Sequence, residues 1–220
     1  MKINPKSVLK NVETLMLDMD GTLLDLAFDN YMWLEHIPRQ FSLKKNISYE
    51  EAKKLLADKF MLAQGDLCWY SLDHWSDTLG MDILKMHYDA SYKIKFLPKA
   101  QEFLERVCNQ KFRVLLVTNS HRASLELKDA NTGICNYFDE IHSSHDYGFA
   151  KENQKFWIAL QKKIDFDPKN TLFVDDCSYV LRSAKRYGIE MLLKVTQPDS
   201  RFSEKNSSEF KGVKQVADIF

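Results

Sequence analysis

Apolar positions follow two rhythms along the chain. Short, nearly unbroken hydrophobic runs at "VETLMLD" (12–18), "KFRVLLVTNS" (111–120), "FDEIHSS" (138–144), "TLFVDD" (171–176) and "IEMLLKV" (189–195) predict five strands. The VLLV run has the character of a parallel strand covered on both faces. Between the strands, apolar residues return at helical spacing. Ala100, Phe103, Leu104 and Val107 share one face behind Pro98, which suits a first-turn position. Val180, Leu181, Ala184 and Tyr187 share another, closed by Gly188 at a C-terminal cap. From residue 98 onward helix and strand alternate, which predicts an α/β fold with a mainly parallel sheet and right-handed crossovers.

The alternation breaks between the first two strands. From about residue 26 to 96 nothing reads as strand. Ser48 and Glu51 form a capping-box pattern ahead of Ala52, Leu55, Leu56 and Phe60; Leu72, Trp75 and Leu79 mark a helix ended by Gly80; Ile83, Met86, Ala90 and Ile94 mark a third. The expected organisation is an α/β core from residues 1–25 and 97–220, with 26–96 inserted as an all-helical cap tethered near Leu24–Leu26 and Phe96–Pro98. The polar stretch at 197–212 reads as an extended loop or loose tail, and no internal repeat is evident.

Composition narrows the function classes. The 220 residues, 45% hydrophobic, suffice for one buried core with an insertion. Thirty-one basic and thirty-one acidic residues cancel, so no global field favours nucleic acid or an anionic membrane. Cys68, Cys108, Cys135 and Cys177 form no C-x-x-C pair, which leaves buried free thiols as the expectation. The N-terminal stretch 1–14 has no signal-peptide core, and no segment approaches the ~20 apolar residues of a membrane span. The chain is expected to be a soluble cytoplasmic protein, as a monomer or weak homodimer.

Candidate chemistry gathers where the strands end. In an open α/β sheet the ligand site lies beyond the carboxyl ends of the strands, where Asp18, Thr118 and the pair Asp175 and Asp176 should converge. With Asp20, four carboxylates at one sheet edge repel and raise one another's pKa unless a cation neutralises them. A hard, oxygen-preferring ion, Mg²⁺, resolves that conflict and also admits a phosphate ester. One such carboxylate can be a nucleophile, and Asp20, two residues from Asp18, can give a proton to the leaving oxygen and later take one from water. Gly21 permits a sharp turn with N–H groups facing a phosphate. Thr118, with Asn119 beside it, and Lys151 in "GFAKENQ" complete a set of phosphate ligands.

In this order "DMDGTLLD", "VTNS", the lysine of "FAKENQ" and "FVDDC" resemble the haloacid dehalogenase superfamily over essentially the whole chain. The resemblance implies a Rossmannoid sheet with helices on both faces and a cap after the first motif. It also implies Asp18 as nucleophile, Asp20 as acid/base, Thr118 and Lys151 as phosphate ligands, and Asp176 as a direct metal ligand. Asp175 then holds a metal-bound water or orients the lysine, and the metal takes the Asp20 backbone carbonyl. Relatives often carry proline after the motif lysine; here Glu152 stands there, which puts the local loop shape in question. The stretches "LDMDGTLLDLAFDNYMWLEHIP", "WYSLDHWSDTLG", "KENQKFW" and "VTQPDS" resemble a bacterial 5'-nucleotidase subgroup acting on GMP and IMP.

Singly, each motif has a plainer reading. Aspartates after a strand are usually turn or cap residues, Thr118 a strand-end residue, Lys151 a solvated helix-start lysine, and "DDCS" a helix N-terminus. Their joint order carries the inference. Phe28, Tyr31, Trp33, Trp69, Tyr70 and Trp75 are expected to be mostly cap core, and His36, His74, His121 and His145 surface or core residues. The expected activity is a Mg²⁺-dependent phosphomonoesterase acting on a nucleoside monophosphate. The alternatives are a phosphatase or phosphomutase acting on a sugar phosphate or other small ester, a carbon–halogen hydrolase, and a non-enzymatic phospho-acceptor of the receiver type. Asp20 speaks against the halogen option, because a halide leaves without a proton.

Overall fold

In the computed structural model, which describes Leu9 and residues 11–219, six parallel strands form one sheet. They are β1 (Thr14–Leu17), β2 (Arg113–Thr118), β3 (Glu140–Ser143), β4 (Thr171–Asp175), β5 (Met191–Val195) and β6 (Gly212–Val213), in the spatial order β3-β2-β1-β4-β5-β6. The chain winds outward from β1 through β2 to β3, then returns to place β4 on the other side of β1. Residues 1–8 and 10, within the stretch read as lacking a signal-peptide core, lie outside the described residues.

The strands read as apolar runs because both faces are covered. Leu15, Leu17, Val114, Leu116, Leu172 and Val174 point into one core with the helix Ala100–Val107. Met16, Leu115, Val117 and Phe173 point into the other, against the helices Gln154–Lys163 and Ser178–Tyr187. Five strands were expected where six are found. Two residues of β6 are too few to show a period, and the segment before it is pinned by Arg182 to Glu209 and by Lys205 N–H to the Thr196 carbonyl. Pro98 is also displaced from its expected place: it precedes a left-handed Lys99 (φ 60°) that caps the helix beginning at Ala100. Of the four cysteines, all free, Cys108 is exposed and the others are half-buried rather than enclosed.

Between β1 and β2 the chain is helical around its own core of Phe28, Met32, Ile37, Leu56, Trp75 and Ile83. Its helices are α1 (Ala27–Tyr31), α2 (Ile37–Lys45), α3 (Tyr49–Ala63), α4 (Leu72–Leu79) and α5 (Ile83–Asp89). Ser48, Ser71 and Asp82 cap the last three through side-chain oxygens. Ser48 supplies its half of the predicted capping box, whereas Leu55 turns out to be exposed, because the buried stripe of α3 is centred on Ala52 and Leu56. Pro38 has no N–H to donate, yet α1 and α2 run on as one rod. The rod widens to a π turn over Met32–His36, with the Ile37 N–H reaching back five residues to the Met32 carbonyl.

The segment leaves and rejoins the sheet at neighbouring points. Leu24 and Phe96 form an antiparallel bridge, flanked by Asp25 N–H to the Lys95 carbonyl and Leu97 N–H to the Leu23 carbonyl, each at 2.8–2.9 Å. The buried Asp25 carboxylate fastens this crossing by accepting from Ala27 N–H (3.0 Å), Ser200 N–H (3.1 Å) and the Ser200 hydroxyl (2.5 Å).

Candidate active site

The winding reverses between β1 and β4, and there the sheet opens a crevice at its carboxyl edge. Asp18 follows β1, and Asp175 ends β4. Oxygens of Asp18, Asp175 and Asp176 lie within 4.8 Å of one another. After Asp18 the chain folds back at once: the Met19 carbonyl accepts from the N–H groups of Thr22, Leu23 and Leu24. Gly21 sits in that turn at φ 83°, and a Cβ there would meet Asp176 Oδ2 at 2.8 Å and Pro198 Cβ at 2.9 Å. Only glycine lets the backbone lie so close to the acidic group.

Lys151 is the buried cation at the centre. Its Nζ donates to Asp18 Oδ1 (2.6 Å), Asp175 Oδ2 (2.8 Å) and the Val117 carbonyl (3.0 Å), so all three ammonium donors are engaged. Asp175 Oδ1 accepts from Cys177 N–H at 2.7 Å, which orients this carboxylate from the helix side as well. Asn119 Oδ1 accepts from Lys151 N–H (2.9 Å), and Trp157 Nε1 donates to the Lys151 carbonyl (2.9 Å). The lysine's backbone is therefore fixed from two directions. The Thr118 hydroxyl is buried at the end of β2 and accepts from Ser120 N–H at 3.0 Å.

Burial and crowding move the acidic groups together. Loss of hydration raises Asp18 to about 7; Lys151 opposes this, and the neighbouring charge of Asp175 adds to it. Asp176 is driven well above the usual carboxylate range by burial, then by the charges of Asp175 and Asp18. Lys151 is held above the ordinary lysine value: its burial disfavours the charge, but Asp175 and Asp18 outweigh it. Three close, desolvated carboxylates with one shared ammonium still carry excess negative charge. A hard divalent cation with oxygen ligands fits this donor set.

Asp20 stands apart from the trio. Its Oδ1 accepts from the Lys128 ammonium at 2.7 Å, and the same ammonium donates to Asp29 Oδ1 at 2.8 Å. Burial raises Asp20 to about 6 against the pull of Lys128. Lys128 was not among the predicted site residues, though one signal was available: it falls three and four positions after Leu125 and Ser124 on the buried face of the helix Arg122–Thr132. Its partners lie 108 and 99 residues away, a distance no local pattern bridges.

The site opens into a cavity of about 380 Å³, a size suited to a small ligand. Its floor is Asp18, Asp20, Thr118, Asn119, Lys151, Asp175 and Asp176, and its roof comes from the helical segment. Trp33, Trp69, Tyr70 and Trp75 line it, whereas Phe28 is packed in the segment's core and Tyr31 stacks on His36. Trp75 belongs to both, since only 2% of it is exposed. His121 reaches the wall, while Arg122 turns away to pair with Asp146. His87 also lines the cavity; its Nδ1–H donates to the Ile83 carbonyl (2.8 Å), and burial lowers its pKa to about 4. Glu152 joins roof to floor: Oε1 accepts from the Tyr70 hydroxyl (2.7 Å) and Oε2 from Asn119 Nδ2 (3.0 Å).

Known proteins share this arrangement of sequence and fold. The family described as haloacid dehalogenase-like hydrolase matches residues 15–194. The GMP/IMP nucleotidase YrfG of Escherichia coli (strain K12) is 37% identical over 196 residues, covering 89% of this chain and 88% of that protein. Among solved structures, a HAD phosphatase from Thermococcus onnurineus superposes with a TM-score of 0.77 at 18% identity, covering 94% of this chain and 96% of that one. The HAD-hydrolase YfnB of Bacillus subtilis, bound to magnesium, does so with a TM-score of 0.68, also at 18% identity and with the same coverage.

Proposed function

The chain belongs to the haloacid dehalogenase-like hydrolase family and is a phosphatase, and from that premise we propose that it hydrolyses purine nucleoside 5'-monophosphates, GMP and IMP, through a phosphoaspartyl intermediate on Asp18. The observation that carries the reading is the convergence of Asp18, Asp175 and Asp176 around Lys151 at the reversal of the sheet. The substrate class rests on the 37% identity to a GMP/IMP nucleotidase, which extends through the helical segment. An aromatic roof of Trp33, Trp69 and Tyr70 supports it, because a purine ring can lie there while the phosphate meets the floor.

Each residue has a part in this reading. An Asp18 carboxylate oxygen attacks phosphorus, and the O–P bond forms as the ester bond to the 5'-oxygen breaks. Asp20 gives its proton to that leaving oxygen. It then takes a proton from the water that attacks the phosphorus of the phosphoaspartate; the bond from Asp18 oxygen to phosphorus breaks, and inorganic phosphate and the Asp18 carboxylate are released. Lys151 and Thr118, with Gly21 and Asn119 beside them, hold the phosphoryl oxygens, and Asp175 orients Lys151. Mg²⁺, held by Asp18, Asp175, Asp176 and the backbone at Asp20, would offset the charge of substrate and carboxylates together. Residues 26–96 act as the cap that selects the leaving group.

Phosphate release across a panel of nucleotides, sugar phosphates and phosphorylated acids tests the substrate class; turnover should be greatest with GMP and IMP, and a sugar-phosphate preference would overturn it. Asp18→Asn should abolish turnover in a folded protein, because an amide cannot attack phosphorus. Near-normal rates in that variant would place the nucleophile elsewhere.

A further inference from the structure

Two lysines in the described chain have almost no exposure, Lys151 and Lys128, each at 1%. The first belongs to the phosphate site; the second has no part in the chemistry derived above. A buried ammonium is held against a substantial desolvation penalty, so its partners indicate its use. Lys128 lies on the helix Arg122–Thr132 of the core, and its two carboxylate partners come from different places. Asp20 is in the turn after β1, and Asp29 is on α1, the first helix of the inserted segment. The Nζ also lies 5.7 Å from the centre of the Phe28 ring, which walls it on the segment's side.

We propose that Lys128 is a positioning residue that aims the Asp20 carboxyl at the leaving oxygen, and that Asp29 ties this aim to the docking of α1. With α1 docked, one ammonium is divided between two carboxylates; if α1 withdraws, Asp29 leaves with it and Asp20 takes the whole interaction. The placement of the inserted segment thus sets how Asp20 is held. Lys128 never exchanges a proton with substrate, and its part is geometric. The proposal rests on the reading of Asp20 as the proton donor.

The test compares two esters in the full-length protein with Mg²⁺: p-nitrophenyl phosphate, whose phenolate leaves without much help, and GMP, whose 5'-oxygen needs a proton. Lys128→Met removes the ammonium and keeps an unbranched side chain that ends where the lysine Cε lies. It should lower kcat for GMP about 10-fold or more beyond any loss with p-nitrophenyl phosphate, within the range general acid catalysis supplies. Asp29→Asn should shift the same ratio of rates by a smaller factor. Equal losses on both esters, or none, would overturn the proposal.

Lys128→Met leaves two half-buried carboxylates without their cation, so the double variant Lys128→Met with Asp29→Asn is measured alongside it. It should show the same ester-dependent loss, and the same outcomes decide the case if the single variant does not fold. Asp20→Asn serves as the reference. If it slows GMP far more than the aryl ester while the Lys128 variants slow both equally, the proposal fails and the reading of Asp20 stands. If Asp20→Asn itself slows both equally, it is the reading of Asp20 that fails.

Discussion

At the scale of single residues, the site combines groups whose charge is set by burial with groups whose charge is set by a partner. His87 is of the first kind. It is 1% exposed, its Nδ1–H is spent on the Ile83 carbonyl, and its pKa lies near 4. Between the ordinary histidine value of 6.5 and about 4, the unfolded chain binds a proton that folded His87 does not. Stability contributed by neutral His87 is therefore present above pH 6.5 and falls as the pH drops through that window, by on the order of 3 kcal/mol at its lower end. Urea denaturation of His87→Gln between pH 7 and 5 should show a flatter dependence than the parent; parallel curves would mean that another group dominates. Asp18, Gly21, Thr118, Lys151 and Asp176 were all legible because they sit in short motifs beside strand ends. Lys128 and Asp29 were not, since what pairs them is the packing of two helices far apart in sequence.

Among elements, the turn Leu67–Tyr70 is joined to the loop carrying Lys151 through a single carboxylate. Glu152 uses one oxygen for Tyr70 and the other for Asn119, whose own Oδ1 holds the Lys151 N–H. One carboxylate thereby connects the roof, the end of β2 and the loop carrying Lys151. Burial and the adjacent Glu152 charge keep the Tyr70 phenol well above its usual range, so it stays a donor. Tyr70→Phe and Glu152→Gln should each weaken kcat/KM for GMP about tenfold, a magnitude typical of a lost hydrogen bond to a charged group. The double variant should be little worse than the poorer single one, and strictly additive losses would show that the two residues act independently. The elements themselves followed from sequence where the hydrophobic pattern was long enough. The rod from α1 to α2 falls in the stretch expected to be helical but was not assigned a helix of its own, and its passage through Pro38 is accommodated by the π turn ahead of it.

For the molecule as a whole, the crowded carboxylates would couple folding to the binding of a divalent ion. Repulsion among Asp18, Asp175 and Asp176 is only partly relieved by Lys151, so a divalent ion that binds the folded chain should stabilise it. At a hundredfold excess over its Kd, Mg²⁺ should add about 2.7 kcal/mol. Thermal melts with Mg²⁺ and with EDTA should differ accordingly, and Asp176→Asn should remove most of the difference; a melting temperature indifferent to Mg²⁺ would disprove the assignment. The mainly parallel sheet and its covered faces were legible from strand composition, whereas the strand order and the contacts between inserted helices and core had to be seen. The doubled crossing at Leu24 and Phe96 reaches beyond this protein's own chemistry. The chain enters and leaves residues 26–94 through one hydrogen-bonded stem, so recombination could exchange that loop of sequence and leave the register of the sheet untouched. A replacement for that loop would still have to restore Tyr70 and Asp29, the partners that Glu152 and Lys128 find in it, before the carboxylates at the sheet edge are held as they are here.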